Sequence, residues 1–449
     1  MRQILIKNGS IISMDPKIGD FDRGDILIDN EHIIKIGSTI RAPKASILEA
    51  KNMIVMPGFV NAHIHTWQTG LRGIAGNWSI PQYLHQMHAN IAPRFTANDT
   101  YLGNLIGSLN QINNGATTIF DWCHNNSTPA HTDAAIKGLQ ESGIRAVFGH
   151  GSPKPAAKKG QIPYTHIPHP KNELERLRKG CLASNDSLIT LAMAALGPDF
   201  STWDVTKHDF TLAKDLDLII SAHVWGAPNR LNKNGYRKLS KLKLLGPNHN
   251  LVHGVFLKEA ELKLIVDSGA SVTVTPEIEL QMGDGTPLTG RIRDLGIEPS
   301  IGVDVESNIS GDMFTVMRMT LQNQRNLDNK AFTKKNQIPT QKLSIHPKKA
   351  LAWATIESAK ALKLDKKVGS LKPGKQADII LINKNDLNLF PVNKPLESIV
   401  FQANGSNVDT VMIAGQILKK NGKILFRELQ RKKELLADST HRILRGLSI

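Results

Sequence analysis

Cysteine is almost missing from this chain: its 449 residues contain two, Cys123 and Cys181. Two thiols cannot build a disulfide framework, and their scarcity points to a reducing cytoplasm. Long apolar runs are missing as well. The longest, such as Leu191 to Leu196, fall far short of the roughly 20 residues needed to span a bilayer. The N-terminus, Met1-Arg2-Gln3-Ile4-Leu5-Ile6, lacks the apolar core of a signal peptide and runs straight into a strand pattern. There is no internal repeat, no low-complexity linker and no Gly-x-Gly-x-x-Gly turn to mark a dinucleotide site. The formal charge is +16, yet no aromatic residues interleave with the basic ones. Lysine and arginine come in short scattered groups such as Lys158-Lys159, Lys334-Lys335 and Arg431-Lys432-Lys433. That is the pattern of a lysine-rich surface and not of a nucleic-acid track.

What remains is a soluble, globular composition, 40% hydrophobic and 21% charged, long enough for one large domain and a smaller one. The first 55 residues read as short strands broken by Asp, Asn and Gly, and the region from Asp378 to Phe426 repeats that texture. Between them, apolar runs alternate with amphipathic stretches such as Asp99 to Asn113 and Glu259 to Ser268. The runs are Ala116 to Phe120, Ala146 to Phe148, Leu188 to Ala192, Leu218 to Ala222, Asn250 to Val252, Ser271 to Thr275 and Ser300 to Val303. Together with the strand that ends in His63 they make eight, the signature of a (β/α)₈ barrel; the competing reading is an open doubly wound sheet. The expected division is 1–57 and 368–426 as two parts of a small β-sandwich, 58–367 as an α/β TIM-like barrel, and 427–449 as a C-terminal helix. Ser152 to Gly180, rich in Pro, Lys and His, reads as a long barrel loop.

Chemistry gathers at the strand ends. His63-Ile64-His65 closes an apolar, β-branched strand, and side chains alternate along a strand, so both imidazoles point to one side. By itself such a pair is weak evidence, because any one of sixteen histidines is more often a surface or satisfied core residue than a ligand. Three further strands end in His223, His253 and Asp304. His63, His65, His223 and Asp304 offer three imidazoles and a carboxylate, a set suited to one divalent metal, zinc first and ferrous iron second, with a position left for water. Such a metal lowers the pKa of that water to about 7. Asp304 is placed to accept its proton, and His253 to hydrogen-bond a substrate carbonyl or the developing tetrahedral centre. Trp67, Gln68 and Arg72 follow the first strand, His124 the second and His150 the third, so these residues and Trp225 are expected to bind substrate; Trp67 and Trp225 could stack on a planar ring.

The stretch Pro57-Gly58-Phe59-Val60-Asn61-Ala62-His63-Ile64-His65, followed by Gln68 and Leu71-Arg72-Gly73, strongly resembles the amidohydrolase superfamily. Within it the match is to enzymes like cytosine deaminase, S-adenosylhomocysteine deaminase and triazine hydrolase. Gly115-Ala116-Thr117-Thr118-Ile119-Phe120-Asp121, Val252-His253-Gly254, Gly302-Val303-Asp304 and Val368-Gly369-Ser370-Leu371-Lys372-Pro373-Gly374 carry the resemblance along nearly the whole chain. It implies a mononuclear site on His63, His65, His223 and Asp304, because two-metal members use a carboxylated lysine on the fourth strand and Leu188 to Leu196 contains none. It also implies a metal-dependent hydrolase of non-peptide carbon–nitrogen bonds, with deamination of a small heterocycle first. A cyclic-amide or carbon–halogen hydrolase stands second, and a metal- or ligand-binding barrel without turnover is the reading from another class. The expected partner is a small-molecule substrate, with no nucleic acid and no membrane, in a homo-oligomer of two or more copies.

The sequence also departs from that resemblance. Deaminases of this branch carry a glutamate three residues after the fifth-strand histidine, whereas this chain reads His223-Val224-Trp225-Gly226. After the seventh strand it has Pro276-Glu277-Ile278-Glu279-Leu280 where relatives have Ser-Asn. Amine expulsion needs a proton on the leaving group. Glu277 or Glu279 is therefore expected to supply the missing carboxylate from a neighbouring loop.

Overall fold

The computed structural model describes residues 3–447. Residues Met1 and Arg2 of the N-terminal strand pattern, and Ser448 and Ile449 of the expected terminal helix, lie outside them. The chain divides into two compact units, one made of residues 1–61, 109–118 and 312–426, the other of 62–108, 119–311 and 427–449.

In the first unit, strands from both ends of the chain share one nine-stranded mixed sheet. Met53–Pro57 pairs antiparallel with Ile379–Asn383, which joins the N-terminal strands to the C-terminal ones. Alternation drives this sheet: Ile4, Ile6, Ile26 and Ile28 turn inward to meet Val55, Ile379, Leu381 and Met412 in one apolar cluster.

An eight-stranded parallel sheet forms the barrel, with β1 (Phe59–Ile64), β2 (Ala116–Cys123), β3 (Arg145–Gly151), β4 (Ile189–Ala195), β5 (Ile219–Val224), β6 (His249–His253), β7 (Ser271–Val274) and β8 (Ser300–Ile301) neighbouring one another in chain order. Every residue of β1 to β4 is buried. Continuous apolar runs are what a strand covered on both faces requires. Closure comes from a bridge between Ile64 and Asp304: the Asp304 amide donates to the His63 carbonyl at 2.9 Å, and the His65 amide to the Asp304 carbonyl at 2.8 Å. Gly302 permits this approach, since a Cβ there would lie 2.7 Å from the His63 carbonyl oxygen.

The amphipathic stretches form the helices Ala97–Asn113 and Glu259–Asp267. The segment expected as one long loop differs in part. Lys171–Lys179 is a helix, because Leu174 and Leu177 fall on one face and are buried while charged residues fill the other. The terminal helix Leu429–Leu444 buries Leu436, Ser439 and Ile443. It is tied to Ala97–Asn113 by Ser439, which donates to Asp99, and by an Arg442–Asp99 ion pair. Among the described residues no helix is long and apolar enough to cross a membrane.

Candidate active site

The ends of β1, β5, β6 and the residues after β8 bring the strand-end side chains to one place, all within the second unit. His63 Nε2 lies 3.3 Å from His223 Nε2 and 3.3 Å from Asp304 Oδ1, and His65 Nε2 lies 3.2 Å from the same oxygen. Donor atoms of His63, His223, His253 and Asp304 all fall within 4.8 Å of one another. Four ligands bound tetrahedrally at about 2.0–2.1 Å stand roughly 3.3 Å apart, so the three shortest separations fit one zinc-sized ion. The protonation states fit as well. Burial holds His63 down at about 3 and His223 well below the ordinary histidine range, leaving neutral imidazoles, the form that binds a metal. Burial would raise Asp304, but its close contacts with His63 and His65 and the charge of His253 override it and hold the carboxylate ionised.

Supporting contacts set the tautomers. His65 Nδ1 lies 2.5 Å from the Trp122 carbonyl, which can only accept, so Nε2 is the atom turned toward Asp304. Trp67 Nε1 donates to His124 Nδ1 at 2.9 Å, which leaves the His124 proton on Nε2. His253 Nδ1 lies 3.2 Å from Glu279 Oε1 and 3.0 Å from Thr275 Oγ1, while Nε2 faces Asp304 Oδ2 at 3.7 Å. Burial alone would lower His253; the Glu279 hydrogen bond and the charges of Asp304, Glu279 and Asp284 overcome it and raise this imidazole to about 9. Both His253 and Asp304 sit in left-handed backbone, at φ 71° and 73°. Such conformations cost non-glycine residues about 1–3 kcal/mol and gather at functional sites.

A cavity of about 530 Å³, counting the space that opens to solvent, lies over the cluster. His65, His223, His253 and Asp304 form its floor, and Tyr83, Phe200 and Trp225 are among its walls. Of the residues expected to bind substrate, His124 and Trp225 line this cavity and the other four do not. Trp67 is buried beneath His124. Gln68 is also buried, donating to the Tyr83 hydroxyl and accepting from Ser307. Arg72 reaches Glu306 at 2.6 Å, and His150 Nδ1 lies against His169 Nε2 at 2.9 Å. Both glutamates expected after β7 are also off the cavity wall. Glu277 accepts from Ser310, and Glu279, wholly buried, stands behind His253. Cys123 is buried, and burial pushes its thiol well above the ordinary range.

Three polar residues on the wall carry no role from the sequence: His88, Lys154 and Asp284. His88 comes from the helical turn Leu84–Ile91 and packs 4.3 Å from His124. Lys154 follows β3, with Nζ 5.2 Å from the Trp122 ring centre and 5.6 Å from that of Phe200. Burial lowers it to about 8. Asp284 follows the helix Pro276–Gln281. None terminates an apolar strand, so only the position of Lys154 shortly after β3 could have pointed to it.

Comparison with known proteins agrees with this architecture. A 5′-deoxyadenosine deaminase of Methanothermobacter thermautotrophicus is 27% identical over 447 residues, covering 95% of this chain and 97% of that protein. A 5-methylthioadenosine/S-adenosylhomocysteine deaminase of Pyrococcus furiosus is 28% identical over 434 residues, covering 94% and 96%. Among solved structures, a zinc-bound adenosine deaminase from Xanthomonas campestris superposes with a TM-score of 0.82 at 21% identity, covering 98% of both chains. The zinc complex of an atrazine chlorohydrolase from Arthrobacter aurescens gives 0.86 at 20% identity, covering 97% of this chain and 100% of that one. The sequence model of the amidohydrolase family matches residues 54–418, a stretch that contains all eight barrel strands and the His/Asp cluster, and the chain belongs to the amidohydrolase family.

Proposed function

We propose that this chain is a divalent-metal-dependent aminohydrolase that replaces the amino group of a small planar heterocycle by oxygen. One observation carries the reading: His63 Nε2 lies 3.3 Å from both His223 Nε2 and Asp304 Oδ1, and His65 Nε2 lies 3.2 Å from that oxygen, with His65, His223 and Asp304 facing a cavity with aromatic walls. Those four side chains would hold the ion, and three imidazoles with one carboxylate favour zinc over ferrous iron. When bound, such an ion supplies Lewis acidity that makes water a nucleophile near neutral pH.

The chain's own residues do the rest. Asp304, kept ionised, takes the proton that water loses on attack. His253, held protonated by Glu279, presents Nε2–H to the oxygen on which negative charge grows. Trp225 and Phe200, 5.4 Å apart, offer faces for a flat ring. His124 offers a further donor for a ring nitrogen. The names of the relatives support a 6-aminopurine nucleoside as the first substrate to try.

A second reading, hydrolysis of a carbon–halogen bond, is favoured by Gly226, since halide leaves without a proton. The working assembly is a homo-oligomer in the cytoplasm, which size-exclusion chromatography and fractionation address. The test of function is ammonia release by zinc-loaded protein from 5′-deoxyadenosine, 5-methylthioadenosine, S-adenosylhomocysteine, aminopyrimidines and aminotriazines. Halide release from chlorotriazines without any ammonia would favour the second reading. Zinc binding with neither product would leave a binding barrel without turnover.

A further inference from the structure

We propose that Asp284 is the acid that protonates the departing amine nitrogen, in place of a side chain that position 226 cannot carry. The proposal rests on the aminohydrolase reading above and names the group that completes it.

Position 226 is closed by the backbone. Gly226 has φ 74°, and a Cβ there would stand 2.6 Å from the Leu257 amide nitrogen and 2.8 Å from its Cα. The amides of Trp225 and Gly226 both donate to Asp199 Oδ2, at 2.7 and 2.6 Å, which pins the end of β5 in this turn. No side chain leaves it toward the cavity.

Carbon–nitrogen cleavage still needs an acid near the nitrogen, because an amide anion is too basic to leave. Among the described residues lining the cavity, two are carboxylates: Asp304, which belongs to the metal cluster, and Asp284. Asp284 is 6% exposed and has the Trp225 side chain as a hydrogen-bond partner. Its position is fixed from the neighbouring helix, since its amide donates to the Glu279 carbonyl at 2.9 Å. Its loop follows β7, between the strand that ends in His253 and the one that leads to Asp304. Burial raises its carboxyl above the ordinary aspartate range; Glu279 and Asp304 add to this, and His253 and Trp225 oppose it. A carboxyl in that state holds a proton nearer neutrality than an exposed one.

The step balances. Water adds to the ring carbon, forming a C–O bond, and one of its protons passes to Asp304 and on to the ring nitrogen. The C–N bond breaks with its electron pair on nitrogen, and the Asp284 proton makes the leaving group NH₃. As the hydroxyl becomes a carbonyl, its proton returns to Asp284. The sum is amine plus water giving carbonyl plus ammonia.

The experiment compares 5′-deoxyadenosine with its 6-chloropurine counterpart on zinc-loaded protein, because chloride departs without a proton. Asp284→Asn keeps the size and polarity and removes the acid. We expect kcat/KM for the amine to fall about 10²–10⁴-fold, with much less loss for the chloride and unchanged zinc content. Asp284→Glu, which keeps the acid, should recover part of the amine activity, and if the Asn variant does not fold, Asp284→Ser removes the acid in a smaller side chain and should lower the amine-to-chloride ratio in the same way. An unchanged amine-to-chloride ratio in Asp284→Asn overturns the proposal, as does loss of zinc with both activities. If Lys154→Met shifts the ratio and Asp284→Asn does not, the lysine ammonium is the donor and the proposal is wrong. Wild-type protein that acts on neither compound counts against the function itself, whereas activity on both with an indifferent Asp284 defeats the acid assignment alone.

Discussion

Asp304 and His63 are joined twice: the Asp304 amide donates to the His63 carbonyl at 2.9 Å, and Asp304 Oδ1 approaches His63 Nε2 to 3.3 Å. The same residue closes the barrel and completes the donor cluster. His63→Ala and Asp304→Ala should therefore lose bound zinc on dialysis and lose turnover with it. Elemental analysis beside an activity assay checks this; an Asp304 variant that retained zinc at wild-type level would remove it from the ligand set.

His253 has a different expected profile. His253→Asn should keep zinc while turnover falls about 10²–10³-fold, the loss typical of one donor to a developing oxyanion.

Glu279→Gln tests the residue behind it. Glu279 raises His253 both by its hydrogen bond and by its charge, so the protonated imidazole persists until pH passes about 9. Removing that charge lowers the pKa, and the basic limb of the kcat/KM profile should move to lower pH with zinc retained. A basic limb that stays in place would show that Glu279 does not control this proton.

Gly226→Ala addresses the closed turn. A side chain at φ 74° and 2.6 Å from Leu257 N should lower stability by about 1–3 kcal/mol, read as a shift of the urea midpoint at constant slope. A variant as stable as wild type would mean the turn relaxes readily.

Arg72 was expected at the substrate, and the structure ties it to Glu306, whose side chain is buried while that of Arg72 is 44% exposed. Arg72→Ala should cost about 1–3 kcal/mol of stability by weakening the support of a buried carboxylate. KM should change little, and steady-state kinetics beside denaturation separates the two effects.

Legibility in the sequence followed the strands. His63, His65, His223, His253 and Asp304 each terminate an apolar run or follow it directly, and strand geometry delivers such ends to one mouth. The barrel was readable for the same reason, from eight apolar runs separated by helical periodicity. Trp67 and Gln68 lie off the cavity wall because proximity to His65 says nothing about direction, and the tight helical turn Thr66–Leu71 faces them inward. Asp284, Lys154 and His88 escaped because they arrive from loops and a short helical turn, where no period fixes which side chain faces the cavity. Glu279 was singled out for its charge, but its partner became visible only when β7 and β6 were seen side by side.

The bridge that closes the barrel has a thermodynamic consequence. A ligand that binds only the folded form adds RT ln(1 + [L]/Kd) to stability. Here His63, His65 and Asp304 supply candidate donors and also the backbone bonds that join first strand to last. Occupancy of the site and protection of the His65 and Asp304 amide protons from solvent exchange are thus two readings of one equilibrium. The opening energy of the barrel at that single seam is set by the concentration of free metal as well as by the fold.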